Sequence, residues 1–83
     1  MLKIDVNMSK HMPIQREMAM KITAVSDKYL STLTLEHKGI VLNLKSMIGL
    51  LSQSIPKDGQ MVLVAEGADE KAALEAVLAI INE

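Results

Sequence analysis

The sequence predicts an α+β fold: an open-faced β-sandwich with a four-stranded antiparallel sheet, three helices on one face, and the order βαββαβα. Three observations predict it. Apolar and polar residues alternate in several separate stretches, the period of a half-buried strand. Two other stretches repeat apolar residues at three- and four-residue steps, the period of an amphipathic helix. Finally, 83 residues suffice for one domain burying roughly 60–65% of its unfolded surface. Strands and helices must therefore share one core, with the helices segregated to one face of the sheet.

The first strand is read from Leu2, Ile4, Val6 and Met8, which alternate with Lys3, Asp5 and Asn7. A polar loop, Ser9-Lys10-His11-Met12, follows, and Pro13 suits the first position of a helix, where its missing N–H costs nothing. Ile14, Met18, Ile22, Val25 and Tyr29 form that helix's apolar stripe, with Arg16, Glu17, Lys21 and Lys28 opposite. Leu33 and Leu35 alternate with Thr32 and Thr34. His37-Lys38-Gly39 supplies a turn, and Ile40, Leu42 and Leu44 return as the other arm of a hairpin. A short helix then opens at Ser46 and stops at Ile55-Pro56, before the turn-rich "PKDGQ". Met61 to Ala65 are apolar without a break, as a central strand requires. Asp69 is a cap for the last helix, Glu70 suits its positive end, and Leu74, Val77, Leu78 and Ile81 make its stripe. The expected core comprises Ile4, Val6, Ile22, Val25, Leu33, Leu42, Leu50, Val62, Val64, Leu74, Val77 and Leu78.

Composition removes several functions. Apolar residues make up 49% of the chain, yet there is no Phe or Trp and a single Tyr. The core is therefore aliphatic, with seven methionines to fill irregular gaps. Nine basic and ten acidic side chains give a net charge of −1, and aromatic stacking platforms are missing, so nucleic acid is not an expected partner. The absence of cysteine excludes disulfides and thiolate chemistry. The amino terminus carries charge early, unlike a signal peptide, and no apolar stretch approaches a membrane span. A cytoplasmic protein that does not enter membranes is expected.

Catalysis finds little support. Two histidines on separate loops, without cysteine, offer no metal-ligand spacing. No nucleophile elbow and no phosphate-cradling glycine loop is present. No enzyme activity, metal or cofactor is expected. The junction "LNLKSMIGLL" is more informative. Ser46 is a preferred N-cap residue, because its hydroxyl accepts a backbone N–H two or three residues on. Behind it, Met47, Ile48, Leu50 and Leu51 spread over more than one helix face. Leu50 is expected to point to the core, leaving Met47, Ile48 and Leu51 as a flank available to a partner.

"NLKSMIGLLS", with "EHKG" before it and "VAEGADEKAALEAV" after it, resembles the HPr family of phosphocarrier proteins. The likeness spans residues 1–83 as a single domain. It implies two phosphorylation sites: a histidine in a Gly-Leu-His-Ala-Arg-Pro-Ala loop, served by enzyme I of the sugar phosphotransferase system, and a serine opening the short helix, served by an HPr-type kinase/phosphatase. Aligned without gaps through Ser46, that loop falls on Pro13-Ile14-Gln15-Arg16-Glu17-Met18-Ala19. Gln15 stands at the histidine position, and an amide nitrogen is no nucleophile near neutral pH. Glu17 reverses the charge of the usual arginine, and Met18 replaces the proline. Gln15 with Ser46 retained is also the pattern of the catabolite-repression paralogue of HPr. The resemblance thus implies a regulatory phosphoprotein, modified at Ser46 and silent at Gln15. Its partner would be a transcriptional regulator or metabolic enzyme, met by Met47, Ile48 and Leu51, and the chain a monomer or weak homodimer. Two alternatives are a phosphocarrier that uses His11, and a protein-binding module with neither modification. His37 is expected to be merely solvated.

Overall fold

The computed structural model describes residues 1–11, 14–52 and 58–83. The strands are β1 (Leu2–Asn7), β2 (Thr32–His37), β3 (Ile40–Asn43) and β4 (Gln60–Glu66), and the helices are α1 (Arg16–Ser26), α2 (Met47–Ser52) and α3 (Glu70–Ile81). They follow the expected order. A 3-10 turn, Ser9–His11, occupies the polar stretch after β1. All neighbouring strands are antiparallel, in the order β1-β4-β2-β3. The unbroken apolar run of β4 falls on a central strand, between β1 and β2. Lys38 and Gly39 close the β2–β3 hairpin at φ 40° and 87°, the paired positive φ values that a two-residue type I′ turn requires. His37 is consequently the last residue of β2, paired with Ile40 and half-buried, not a solvated turn residue.

One face of the sheet meets the helices. The row Ile4–Leu63–Leu35–Leu42 crosses all four strands on that face. Its last three members join Ile22 of α1, Leu50 of α2 and Val77 of α3 in one aliphatic core. Ile4, expected inside, is 39% exposed. It lies on the correct face, but β1 is an edge strand, with no neighbouring strand on its outer side among the described residues. Val62 and Val64 belong to the opposite face, where Val64 is buried by its sheet neighbours and Val62 only half-buried. Val25, Leu74 and Leu78 are also half-buried and pack against the core's rim. In α3 the buried stripe is Ala73, Val77, Ile80 and Ile81. The helix is rotated from the expected setting, with small Ala73 fully buried and bulky Leu74 left half-buried.

Two boundaries differ from expectation. Helix α1 begins at Arg16, with Ile14 already packed on the core before it, and ends at Ser26. Tyr29 therefore packs from the following turn rather than from the helix. The Pro13 start and the Ile55-Pro56 stop lie outside the described residues. Asp69 holds the N-cap position of α3 but makes no cap bond; its carboxylate accepts hydrogen bonds from Leu30 and Ser31 instead. No described helix is long and apolar enough to cross a membrane.

Candidate functional site

The β3–α2 junction is built from short local bonds. The side chain of Asn43 accepts the backbone N–H of Lys45 at 2.9 Å, and the Asn43 carbonyl accepts the N–H of Ser46 at 3.0 Å. The chain is thereby turned so that Ser46 opens α2. Its carbonyl accepts the N–H of Leu50 at 3.1 Å, and its Oγ accepts the N–H of Gly49 at 3.1 Å. This is the N-cap arrangement. A β-carbon on Gly49 would lie 3.3 Å from the Ser46 Oγ, so the missing side chain leaves room beside the hydroxyl. Lys45, next to it, turns away: its Nζ donates to the Tyr29 carbonyl at 2.7 Å and staples the junction to the turn that follows α1.

Helix α2 sorts its apolar residues sharply. Leu50 is 1% exposed, whereas Ile48 is 80% and Leu51 45% exposed. Met47 is half-buried against the core. The flank beside Ser46 therefore consists of Ile48 and Leu51, with Met47 contributing only its outer part. Two more apolar side chains, Met20 on α1 at 52% and Leu30 after it at 86%, are exposed. Neither is singled out in the sequence, because both fall outside the apolar stripe read there.

Gln15 is the N-cap residue of α1 (φ −99°, ψ 168°), and its side chain makes no cap bond. Its carbonyl accepts the N–H of Ala19 at 3.0 Å. Gln15, Arg16 and Glu17 are all exposed. The position carries an amide and, two residues on in the first turn of the helix, the carboxylate of Glu17. His11 is engaged elsewhere. Its Nε2 lies 2.7 Å from the carbonyl oxygen of Ile81. A carbonyl only accepts, so Nε2 carries the hydrogen and donates it. Lys10 and Lys21 reach Glu83 from the same side of the fold. Among the described residues, no three His, Asp or Glu side chains gather to hold a metal ion.

Comparison with known proteins returns the same overall fold. The family model described as the PTS HPr component phosphorylation site matches residues 3–83. The chain belongs to the HPr family. Among solved HPr structures, HPr-C-His from Thermoanaerobacter tengcongensis superposes with a TM-score of 0.86 at 23% identity, over 99% of this chain and 92% of its own. That likeness speaks for the fold. The phosphocarrier protein HPr from Bacillus anthracis gives 0.80 at 25% identity, covering 95% and 94%. Crh, the catabolite repression protein of Bacillus subtilis, gives 0.76 at 30% identity, covering 83% and 79%, and is described as a domain-swapped dimer.

Proposed function

We propose that this HPr-family chain is a regulatory phosphoprotein of carbon catabolite control, modified at Ser46 by an HPr-type kinase/phosphatase and unable to relay phosphate through Gln15. The observation that carries the reading is the Ser46 hydroxyl at the cap of a short helix whose Ile48, two residues on, has four-fifths of its surface in water. A phosphoserine brings about −1.5 to −2 charges. Set next to an exposed apolar flank, it changes what that surface attracts while leaving Leu50 and the core untouched. The partner would be a transcriptional regulator or metabolic enzyme that reads phosphate together with Ile48, Leu51 and the outer part of Met47. Such a protein acts by binding, in the cytoplasm, and catalyses nothing itself. The test is incubation with an HPr-type serine kinase and ATP, followed by mass-spectrometric mapping. Phosphate at Ser46 is expected; an unmodified Ser46 reduces it to a helix cap.

A further inference from the structure

We infer that the helix-free face of the sheet binds a small two-headed zwitterion, with an ammonium and a carboxylate at each end of a short aliphatic body. Side chains along a strand alternate between its faces. The register that sends Ile4, Leu63, Leu35 and Leu42 toward the helices therefore sends the row Asp5–Val62–Glu36–Val41 to the other side. A groove of about 550 Å³ lies on that row, the size class of small-molecule sites. Lys3, Asp5, Glu36, Lys38, Val41 and Val62 are among the residues that line it.

The two walls carry the same pair of charges. On one side β1 presents Lys3 and Asp5, two residues apart and so on the same face. On the other, β2 presents Glu36 and the hairpin turn carries Lys38. Each wall thus offers a lysine and a carboxylate. Lys3, Asp5 and Lys38 are exposed, and Glu36 is half-buried. The ion pairs among the described residues are Met1–Glu70 and Lys21–Glu83, so no other charge engages any of these four. Glu36 accepts the Thr34 hydroxyl at 3.1 Å. A simple cation or a simple anion would match only half of these groups and be repelled by the rest. A ligand with both signs at both ends matches all of them.

The floor sets the body of that ligand. Val62, between Asp5 and Glu36, is half-buried, and Val41, beyond Glu36, is 57% exposed. Asp5 and Glu36 stand on strands separated by β4, roughly 9–10 Å apart at the backbone. A body of about three methylenes, laid across Val62, sets two ammonium groups slightly inside that span, one toward each carboxylate. The ligand's own carboxylates then turn along the strands, one toward Lys3 and the other toward Lys38. Leu50 of α2 packs on the opposite face of the sheet. Ser46 and Ile48 are therefore remote from the groove, and the inference stands apart from the proposed regulation.

Heteronuclear NMR of the backbone amides, with meso-diaminopimelate added to the intact chain at low salt, tests the site. That molecule has the two heads and the methylene body. Exposed charge pairs are individually weak, so a dissociation constant near about 1 mM is expected, rising with added salt. The amides that shift should be those of β1, β4 and the β2–β3 hairpin, with Ser46 and α2 unmoved. Cadaverine is the same molecule without its carboxylates, and pimelate the same without its amines. Each should bind at least about threefold more weakly. Asp5→Asn and Glu36→Gln should each weaken diaminopimelate about twofold or more while changing the melting temperature little. The absence of saturable shifts up to about 20 mM overturns the inference. So does cadaverine binding as tightly as diaminopimelate, which would make the face an acidic surface only, or saturable shifts centred on α2.

Discussion

The carboxylate of Asp69 reaches across to Ser31 and accepts both its backbone N–H, at 2.9 Å, and its hydroxyl, while also taking the N–H of Leu30 at 2.9 Å. Asp69 stands where a helix cap belongs, yet it holds the α1–β2 turn instead of its own helix. Ser31 is fully buried, and this bond is what makes its burial tolerable. The approach is close: a β-carbon on Gly67 would lie 2.6 Å from the Ser31 Oγ, and Gly67 sits at φ 153°. Glycine is required there on both counts.

The first prediction follows from the charge on that carboxylate. The Ser31 hydroxyl, and after it the Leu30 N–H, holds the Asp69 carboxyl below its usual value. A group with a depressed folded pKa stabilises fully above its unfolded value, about 4 for Asp. That contribution is lost as pH falls through the lower, folded value. Asp69→Asn should therefore melt below the parent at about pH 7, with the gap closing in acid. Glu70, lowered chiefly by the amino group of Met1 and then by the Gly67 N–H, should leave a residual acid sensitivity of the same sign. Circular-dichroism melts across the pH range check this, and a gap that stays constant would mean the Asp69 charge is irrelevant.

Strand and helix periods were legible because each element reports its own buried face. Thus Leu33, Leu35 and Leu42 point inward as their alternation requires, and Leu50 is buried while Ile48 is not. What periodicity cannot report is the neighbour on the other side. Ile4 has the correct face and, among the described residues, no strand beyond it. Asp69 has cap chemistry and cap position, but its partner Ser31 is 38 residues away in sequence. His11 looks like an idle loop residue until the end of α3 supplies the Ile81 carbonyl, 70 residues on. At the candidate site, the Ser46 cap was readable because it is local. The fate of Lys45, drawn to Tyr29, was not.

Helix α2 yields a paired stability prediction. Leu50→Ala removes a fully buried side chain and should cost about 2–5 kcal/mol. Ile48→Asp, two residues earlier, removes a side chain that is 80% exposed and should change stability by no more than about 0.5 kcal/mol. Urea denaturation with a shared slope measures both. A large loss from Ile48→Asp would show that the exposed flank belongs to the fold rather than to a partner.

The loop at the start of α1 predicts a chemical silence. With Gln15 at the cap and the His11 Nε2 occupied by Ile81, enzyme I and phosphoenolpyruvate should leave no acid-labile phosphate on the protein. Gln15→His alone should recover little transfer, because the exposed carboxylate of Glu17 repels the incoming phosphoryl group. The pair Gln15→His/Glu17→Arg should recover more. Labelling of the parent at His11 would defeat the proposal, and efficient transfer by Gln15→His alone would show that Glu17 matters less than its charge suggests.

The last prediction concerns Ser46, Gly49 and Ile48 together. The Ser46 Oγ accepts the N–H of Gly49 and, among the described residues, donates its own hydrogen to no partner. Kinase treatment should therefore modify Ser46 with little change in melting temperature, since a negative group at a helix amino end is favoured. Gly49→Ala crowds that hydroxyl from 3.3 Å and should slow the modification without unfolding the chain. Phosphorylated protein should bind its regulatory partner more tightly than the unmodified form, as isothermal calorimetry would record. Ile48 and Leu51 should each supply roughly 1–3 kcal/mol if the complex buries them fully. Ile48→Asp should then abolish binding while Ser46 is still phosphorylated at the parental rate, separating recognition by the kinase from recognition by the partner. If phosphate alone drives binding and Ile48→Asp binds as well as the parent, the apolar flank has no part in the switch.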